Sequence, residues 1–124
     1  MDAPIILLDK VVLSDNYFVS QGFTYDVPNL IEFCKEQKFP IFDIPLAALN
    51  LSLDIHSINS VNSFAYHCKR VQDCSLEYPI ILDVNGSIAD GVHRVVKAIL
   101  EGHTTIKGIR MMSMPKISGT VIKE

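Results

Sequence analysis

The chain has 124 residues, of which 48% are hydrophobic, and a formal net charge of -3 at pH 7. This length and composition are typical of one globular domain, residues 1–124, and no run approaches the roughly 18 consecutive apolar residues of a membrane span. The N-terminus has neither a basic region nor a small-residue cleavage site, so we expect no signal peptide and a cytoplasmic protein.

The charges are unevenly distributed along the chain. Residues 1–93 hold five Lys and Arg against twelve acidic residues, whereas residues 94–124 hold six against two. A duplex DNA binder normally has a basic domain, so duplex DNA is not an expected partner. The basic C-terminal third fits a small anionic ligand, a short stretch of nucleic acid, or a solvated face with uneven charge. The three cysteines and four histidines lack the spacings of a disulfide framework or a zinc site, and we expect no resident metal ligand set.

The first half of the chain alternates extended and helical patterns. Apolar runs predict strands at Ile5–Leu8 and Val11–Leu13, and Phe18–Tyr25 predicts a weaker strand or an irregular loop. An Asp that can cap and a Pro suited to the first turn predict a helix over Pro28–Gln37. Phe39–Leu46 is extended again, and its prolines indicate an edge strand or the start of a strand.

A second helix is predicted over Ile58–Gln72. Its apolar residues recur at intervals of three and four and predict a one-sided amphipathic helix: Ile58, Val61, Phe64, Ala65, Cys68 and Val71. Ser63, His67 and Arg70 fall on the opposite, polar side, and Ser57 or Ser60 is available as a cap. That polar side either faces the ligand-binding corner described next or is a solvated helix face.

The stretch from Tyr78 to Arg94, YPIILDVNGSIADGVHR, is the feature around which the rest of the chain is organised. A short strand leads into Asn85-Gly86, the commonest two-residue hairpin turn. A second short strand follows, and then a helix begins near His93 and runs to about Glu101. The apolar composition of this helix predicts that it is buried, Gly102 is placed to end it, and Thr104–Met112 is predicted to be a strand.

The start of this third helix predicts an anion site. Unpaired N–H groups and the helix dipole favour negative charge there, and His93 and Arg94 add cationic potential. Phosphate is therefore the expected ligand group. A strand, a helix and a further strand together predict an α/β (α+β) domain with a small mixed sheet and about three helices.

The sequence PIILDVNGSIADGVHRVVKAILEG resembles the ParB/sulfiredoxin superfamily, in particular short, stand-alone bacterial or phage ParB-like proteins with a DG-x-HR corner. Ile44-Pro45-Leu46 stands where ParB-like domains have an "IPL" strand. The resemblance covers Phe42 to Met112 and implies a ParB/sulfiredoxin-like core at residues 42–112. Residues 1–41 would then be an N-terminal extension packed on this core.

The resemblance implies a nucleotide site for ATP or CTP with Mg²⁺. Gly91 would permit close approach of the phosphates, the N–H groups of Val92 to Arg94 would cradle them, and His93 and Arg94 would neutralise their charge. Asp90 would orient His93, hold Mg²⁺ through water, or cap the helix. Asp90 and His93 are the candidate catalytic residues, and His67 and Arg70 are further candidates for ligand binding.

Because the chain departs from the family pattern, two activities found in the family are not expected. Sulfiredoxins place a catalytic cysteine where this chain has Val92, so sulfinic-acid repair is not expected. Few residues follow the last predicted strand, so no recognition helix for DNA is expected. The remaining hypotheses are an enzyme that hydrolyses a nucleotide or transfers its phosphoryl group to an unknown second substrate, a non-catalytic nucleotide-sensing or protein-interaction module, and a nuclease or nucleic-acid-binding protein.

Overall fold

A computed structural model describes residues 3–8, 17–20, 22–53 and 58–116 of the chain. These residues form six strands and three α-helices. In chain order they are β1 (Tyr17–Ser20), β2 (Phe23–Asp26), α1 (Val27–Gln37), β3 (Phe42–Pro45), α2 (Val61–Asp73), β4 (Ile80–Leu82), β5 (Ile88–Asp90), α3 (Val92–Leu100) and β6 (Thr105–Arg110). A single 3₁₀ turn, Leu46–Ala48, follows β3.

The central feature is a four-stranded mixed sheet with the strand order β3-β6-β4-β5. β6 pairs antiparallel with β3 and parallel with β4, and α3 provides the crossover that a parallel pair requires. β4 and β5 form an antiparallel hairpin. A mixed sheet with helices confirms the predicted α+β class, and the edge position of β3 agrees with the prolines around it.

Each face of the sheet carries its own hydrophobic core. On one face, Val95 and Ala98 of α3 pack among Ile80, Leu82 and Ile106. On the other face, the core consists of two residues of α1, three residues of the sheet and the residue that follows β6: Leu30, Cys34, Ile81, Ala89, Ile109 and Met111. α2 packs against α3. The sheet is therefore the middle layer between α3 and α1.

The N-terminal predictions are corrected in part. Residues 18–20 and 22–25 are neither a single strand nor a loop, because Phe18–Ser20 of β1 pairs antiparallel with Phe23–Tyr25 of β2, and Gly22 before β2 has a positive φ of 79°. Ile5–Leu8 is not a strand, and Ile5, Ile6 and Leu7 are more than 80% exposed because nothing in the described part of the chain pairs with them. Val11–Leu13 lies outside the described residues.

α2 is correctly predicted as a helix, but its polar side faces α3 and its apolar stripe is exposed at Val61 and Phe64, the reverse of the usual arrangement in an amphipathic helix. Ser63 and His67, on the polar side, are buried, whereas Val61 is 89% exposed and Phe64 is 58% exposed. Ser60 caps the helix through a reciprocal pair of hydrogen bonds with Ser63. This pair holds the polar side inward at the first turn, so the interpretation of that side as a solvated face is wrong for Ser63 and His67.

Two details of the α3 region also differ from the prediction. Within the hairpin, Gly86 has a positive φ of 86° but Asn85 does not, so the connection is a three-residue loop closed by Gly86 rather than a two-residue turn. α3 is buried on one side only, because Ile99 and Leu100 are exposed. The helix ends before Gly102 as predicted, and none of the helices in the described ranges is long and apolar enough to span a bilayer.

Candidate functional site

Gly91 sets the geometry of the corner between β5 and α3. It is the N-cap of α3 with φ 108° and ψ 24°, and no side chain in the described part of the chain caps this helix start. A Cβ at this position would lie 2.6 Å from Cγ2 of Ile80 and 3.0 Å from Nη2 of Arg94. Only glycine combines this backbone conformation with the close approach of both neighbours.

A β-bulge in β5 decides where Asp90 points. Ile81 pairs with Asp90 but Leu82 pairs with Ile88, so Ala89 is an extra residue in β5. In a regular strand, Asp90 would share the sheet face of Ile88, two residues earlier, which belongs to the core beneath α3. The bulge turns Asp90 to the opposite face, where it lines a cavity together with Ile81.

Arg94 reaches from the first turn of α3 to the same cavity. Its Nη2 donates to Oδ2 of Asp90 at 2.9 Å and to the carbonyl oxygen of Pro79 at 3.3 Å. Both side chains of the ion pair are only 18% exposed. Nε of Arg94 is buried and, among the described residues, has no hydrogen-bond partner. The guanidinium is thus fixed in position and retains one unsatisfied donor.

The cavity beside Arg94 has a volume of about 500 Å³ and lies between α1 and the sheet. Its apolar lining comes from α1, the segment after it and the sheet: Ile31, Cys34, Phe39, Ile41, Ile81 and Ile109. Lys35, Lys38 and Tyr78 lie at its polar edge, together with Asp90 and Arg94. With three cations against one carboxylate, the charged lining has a positive balance. Burial raises the pKa of the Cys34 thiol.

His93 points away from this cavity and contacts α2. Its Nε2 lies 2.7 Å from Nδ1 of His67, and the two rings are nearly coplanar, with 4° between their planes and 5.0 Å between their centroids. The N···N contact and the radii of the two rings together make up this centroid distance. The rings therefore lie edge to edge in one plane, joined by a hydrogen bond, and are not stacked face to face.

The structure brings the predicted site residues together in two groups rather than one. Asp90 and Arg94 meet at the cavity under α1, and His67 and His93 meet on the α2 side. Val92 is half-buried against the core beneath α3, and Arg70 is half-buried one turn after His67. Within the described ranges, no group of three or more His, Cys, Asp or Glu residues has a metal-binding arrangement.

Sequence reasoning missed the contribution of α1 to the cavity. Lys35 is in the last turn of α1, and Lys38 is its left-handed C-terminal cap with φ 55°. The available signal was the pair of lysines at the end of a predicted amphipathic helix. Nothing in the sequence indicated that this end of the helix lies beside Arg94, which is more than fifty residues later in the chain.

Comparisons of the chain with protein-family models, curated proteins and solved structures found no match. The ParB/sulfiredoxin resemblance accordingly rests on the corner motif and stays a prediction.

Proposed function

We propose that this protein binds a nucleoside triphosphate, ATP or CTP, with its phosphates at the start of α3. The observation that carries the proposal is the guanidinium of Arg94, which is held at a helix start that no described side chain caps. Free N–H groups and an adjacent arginine form a site suited to phosphate oxygens, because the planar guanidinium can donate two parallel hydrogen bonds. The DG-x-HR corner resembles that of nucleotide-binding proteins, and we therefore propose a nucleotide as the ligand that carries the phosphate.

The corner also fits Mg²⁺ that arrives with the nucleotide. Mg²⁺ takes oxygen ligands and is commonly held by one or two carboxylates together with substrate phosphates. Asp90 is the carboxylate at this corner, and its Oδ2 accepts a hydrogen bond from Arg94. Asp90 would contact Mg²⁺ directly or through water and would supply the protein's share of the coordination.

Hydrolysis or phosphoryl transfer is a second candidate function, and the hydrogen bond between His67 and His93 favours it. Imidazole is the most frequent general base in enzymes, and a proton accepted by one ring of this pair can be shared with the other. In a non-catalytic nucleotide sensor, the same pair would only fasten α2 to the start of α3.

The binding proposal is tested with Arg94→Gln. We expect ATP or CTP with Mg²⁺ to bind the wild-type protein in calorimetric titrations, and the variant to bind at least about tenfold more weakly, because a charge-assisted hydrogen bond contributes about 1.5–3 kcal/mol. Arg110→Gln is the matched control, since it removes the same charge from an exposed arginine whose Nη2 donates to the carbonyl oxygen of Val84.

Far-UV circular dichroism and urea unfolding establish that Arg94→Gln remains folded without its Asp90 ion pair. Failure of every nucleotide to bind the wild-type protein, or equal affinity for both variants, would refute the proposal. Release of inorganic phosphate from the bound nucleotide over hours separates an enzyme from a sensor.

A further inference from the structure

The interior of the cavity between α1 and the sheet is chemically unsuited to a nucleobase. Its floor is formed by Cys34, Ile81 and Ile109, which are 2%, 3% and 8% exposed. A nucleobase placed there would leave ring nitrogens and exocyclic groups without partners, and each unpaired buried polar group costs free energy. A hydrocarbon group has no such groups to satisfy, and its burial is favourable.

The charged residues at the edge of the cavity favour an anionic ligand. Lys35 and Lys38 at the end of α1 and Arg94 of α3 line the cavity, with Asp90 as the one carboxylate of the lining. Asp90 offsets the charge of Arg94, so the lining keeps a net positive charge from the two lysines. Both lysines are exposed, so they can move to meet an incoming group.

We infer that this cavity binds an amphipathic anion: a small ligand with a hydrocarbon body and a carboxylate or similar anionic head. The hydrocarbon body lies against Ile81 and Ile109, and the head lies between Lys35 and Lys38. The volume of about 500 Å³ is in the range of about 300–1,000 Å³ that is typical of small-molecule sites. This ligand is distinct from a nucleotide with its phosphates at the start of α3, and it uses different side chains.

Decanoate tests both parts of the inferred ligand, because it combines a hydrocarbon chain with an anionic carboxylate. It is titrated into isotope-labelled protein below its micellar concentration, and binding is followed in heteronuclear NMR spectra. We expect decanoate to shift the resonances of α1 and β4, and decyltrimethylammonium, which has the same chain and the opposite charge, to bind at least about tenfold more weakly. Decanol separates the contribution of the charge from that of the chain.

A pair of double variants with equal net charge locates the head group. Lys35→Gln with Lys38→Asn removes both cavity lysines, and Asn is chosen because it tolerates the left-handed conformation of position 38. Lys69→Gln with Lys107→Gln removes two exposed lysines that do not line the cavity. We expect at least about tenfold weaker decanoate binding in the first double variant and unchanged binding in the second.

The thiol of Cys34 reports whether the hydrocarbon enters the cavity. In a Cys68→Ser, Cys74→Ser background, decanoate should slow the alkylation of Cys34 by iodoacetamide several-fold, because the chain covers the sulfur. The inference is overturned if decanoate does not bind, if the cationic analogue binds equally well, or if both double variants lose affinity to the same extent.

Discussion

Gly91 joins the two halves of the corner because it satisfies a backbone and a packing requirement at once. Its positive φ starts α3 directly after β5, and the absence of a Cβ lets Ile80 and Arg94 both approach closely. Any other residue would have to displace the guanidinium that we assign to phosphate binding. Replacement of Gly91 would therefore disturb the ligand site as well as destabilise the fold.

Gly91→Ala should lower the free energy of unfolding by about 2–4 kcal/mol, as the sum of an unfavourable φ and an overpacked contact. Urea unfolding measures this change. Gly102→Ala is the matched control, because Gly102 also has a positive φ, 78°, but open space where its Cβ would lie. Gly102→Ala should therefore lower the free energy of unfolding only by the cost of holding a residue with a Cβ at a positive φ, about 1 kcal/mol. Equal losses in the two variants would show that the contact with Ile80 and Arg94 contributes nothing.

The corner motif predicted which residues begin α3 but not where their side chains point. A helix start follows from local features, namely a glycine in a positive-φ conformation and an apolar run after it. Consecutive helix residues project about 100° apart, so the side chains of His93 and Arg94 leave the helix in different directions. Their separate directions depend on the bulge at Ala89 and on the position of α2, which are tertiary features that no local pattern records.

At the level of single elements, α2 shows where hydrophobic periodicity misleads. The intervals of three and four identified the helix correctly, because they reflect its period. The direction of the apolar stripe is a separate question, and here the polar side faces α3 because His67 pairs with His93 and Ser63 completes the capping box. Buried polar groups are stable when they are hydrogen-bonded to one another, and this explains the reversal.

Phe64→Lys tests this orientation. With Phe64 58% exposed, the substitution should change the free energy of unfolding by no more than about 0.5 kcal/mol. If Phe64 faced a core, loss of its ring would cost about 3–5 kcal/mol. His67→Ala is the comparison on the opposite face, and it should cost about 1–3 kcal/mol, because it leaves His93 without the ring that it contacts. Urea unfolding of both variants decides between the two orientations.

At the level of the whole molecule, the sheet separates two hydrophobic cores, and each proposed ligand site is associated with one of them. The core beneath α3 positions the helix start to which we assign phosphate. The core beneath α1 borders the cavity to which we assign an amphipathic anion. Arg94 lies between the two sites, because it begins on α3 and lines the cavity. The four-stranded sheet lies within the Phe42–Met112 stretch that carries the family resemblance, whereas α1 belongs to the preceding residues.

Substitutions can measure separately how much α1 and residues 5–7 contribute to the free energy of unfolding. Leu30 of α1 is fully buried among Ile81, Ala89 and Ile109, so Leu30→Ala should lower the free energy of unfolding by about 2–5 kcal/mol. Ile5, Ile6 and Leu7 are 87%, 82% and 85% exposed, so replacing all three by serine should leave it within about 0.5 kcal/mol of the wild-type value. Urea unfolding measures both changes. A large loss in the triple variant would mean that this segment packs against the folded domain. A negligible loss in Leu30→Ala would mean that α1 is not part of the cooperative unit, and the cavity would then lack one of its walls.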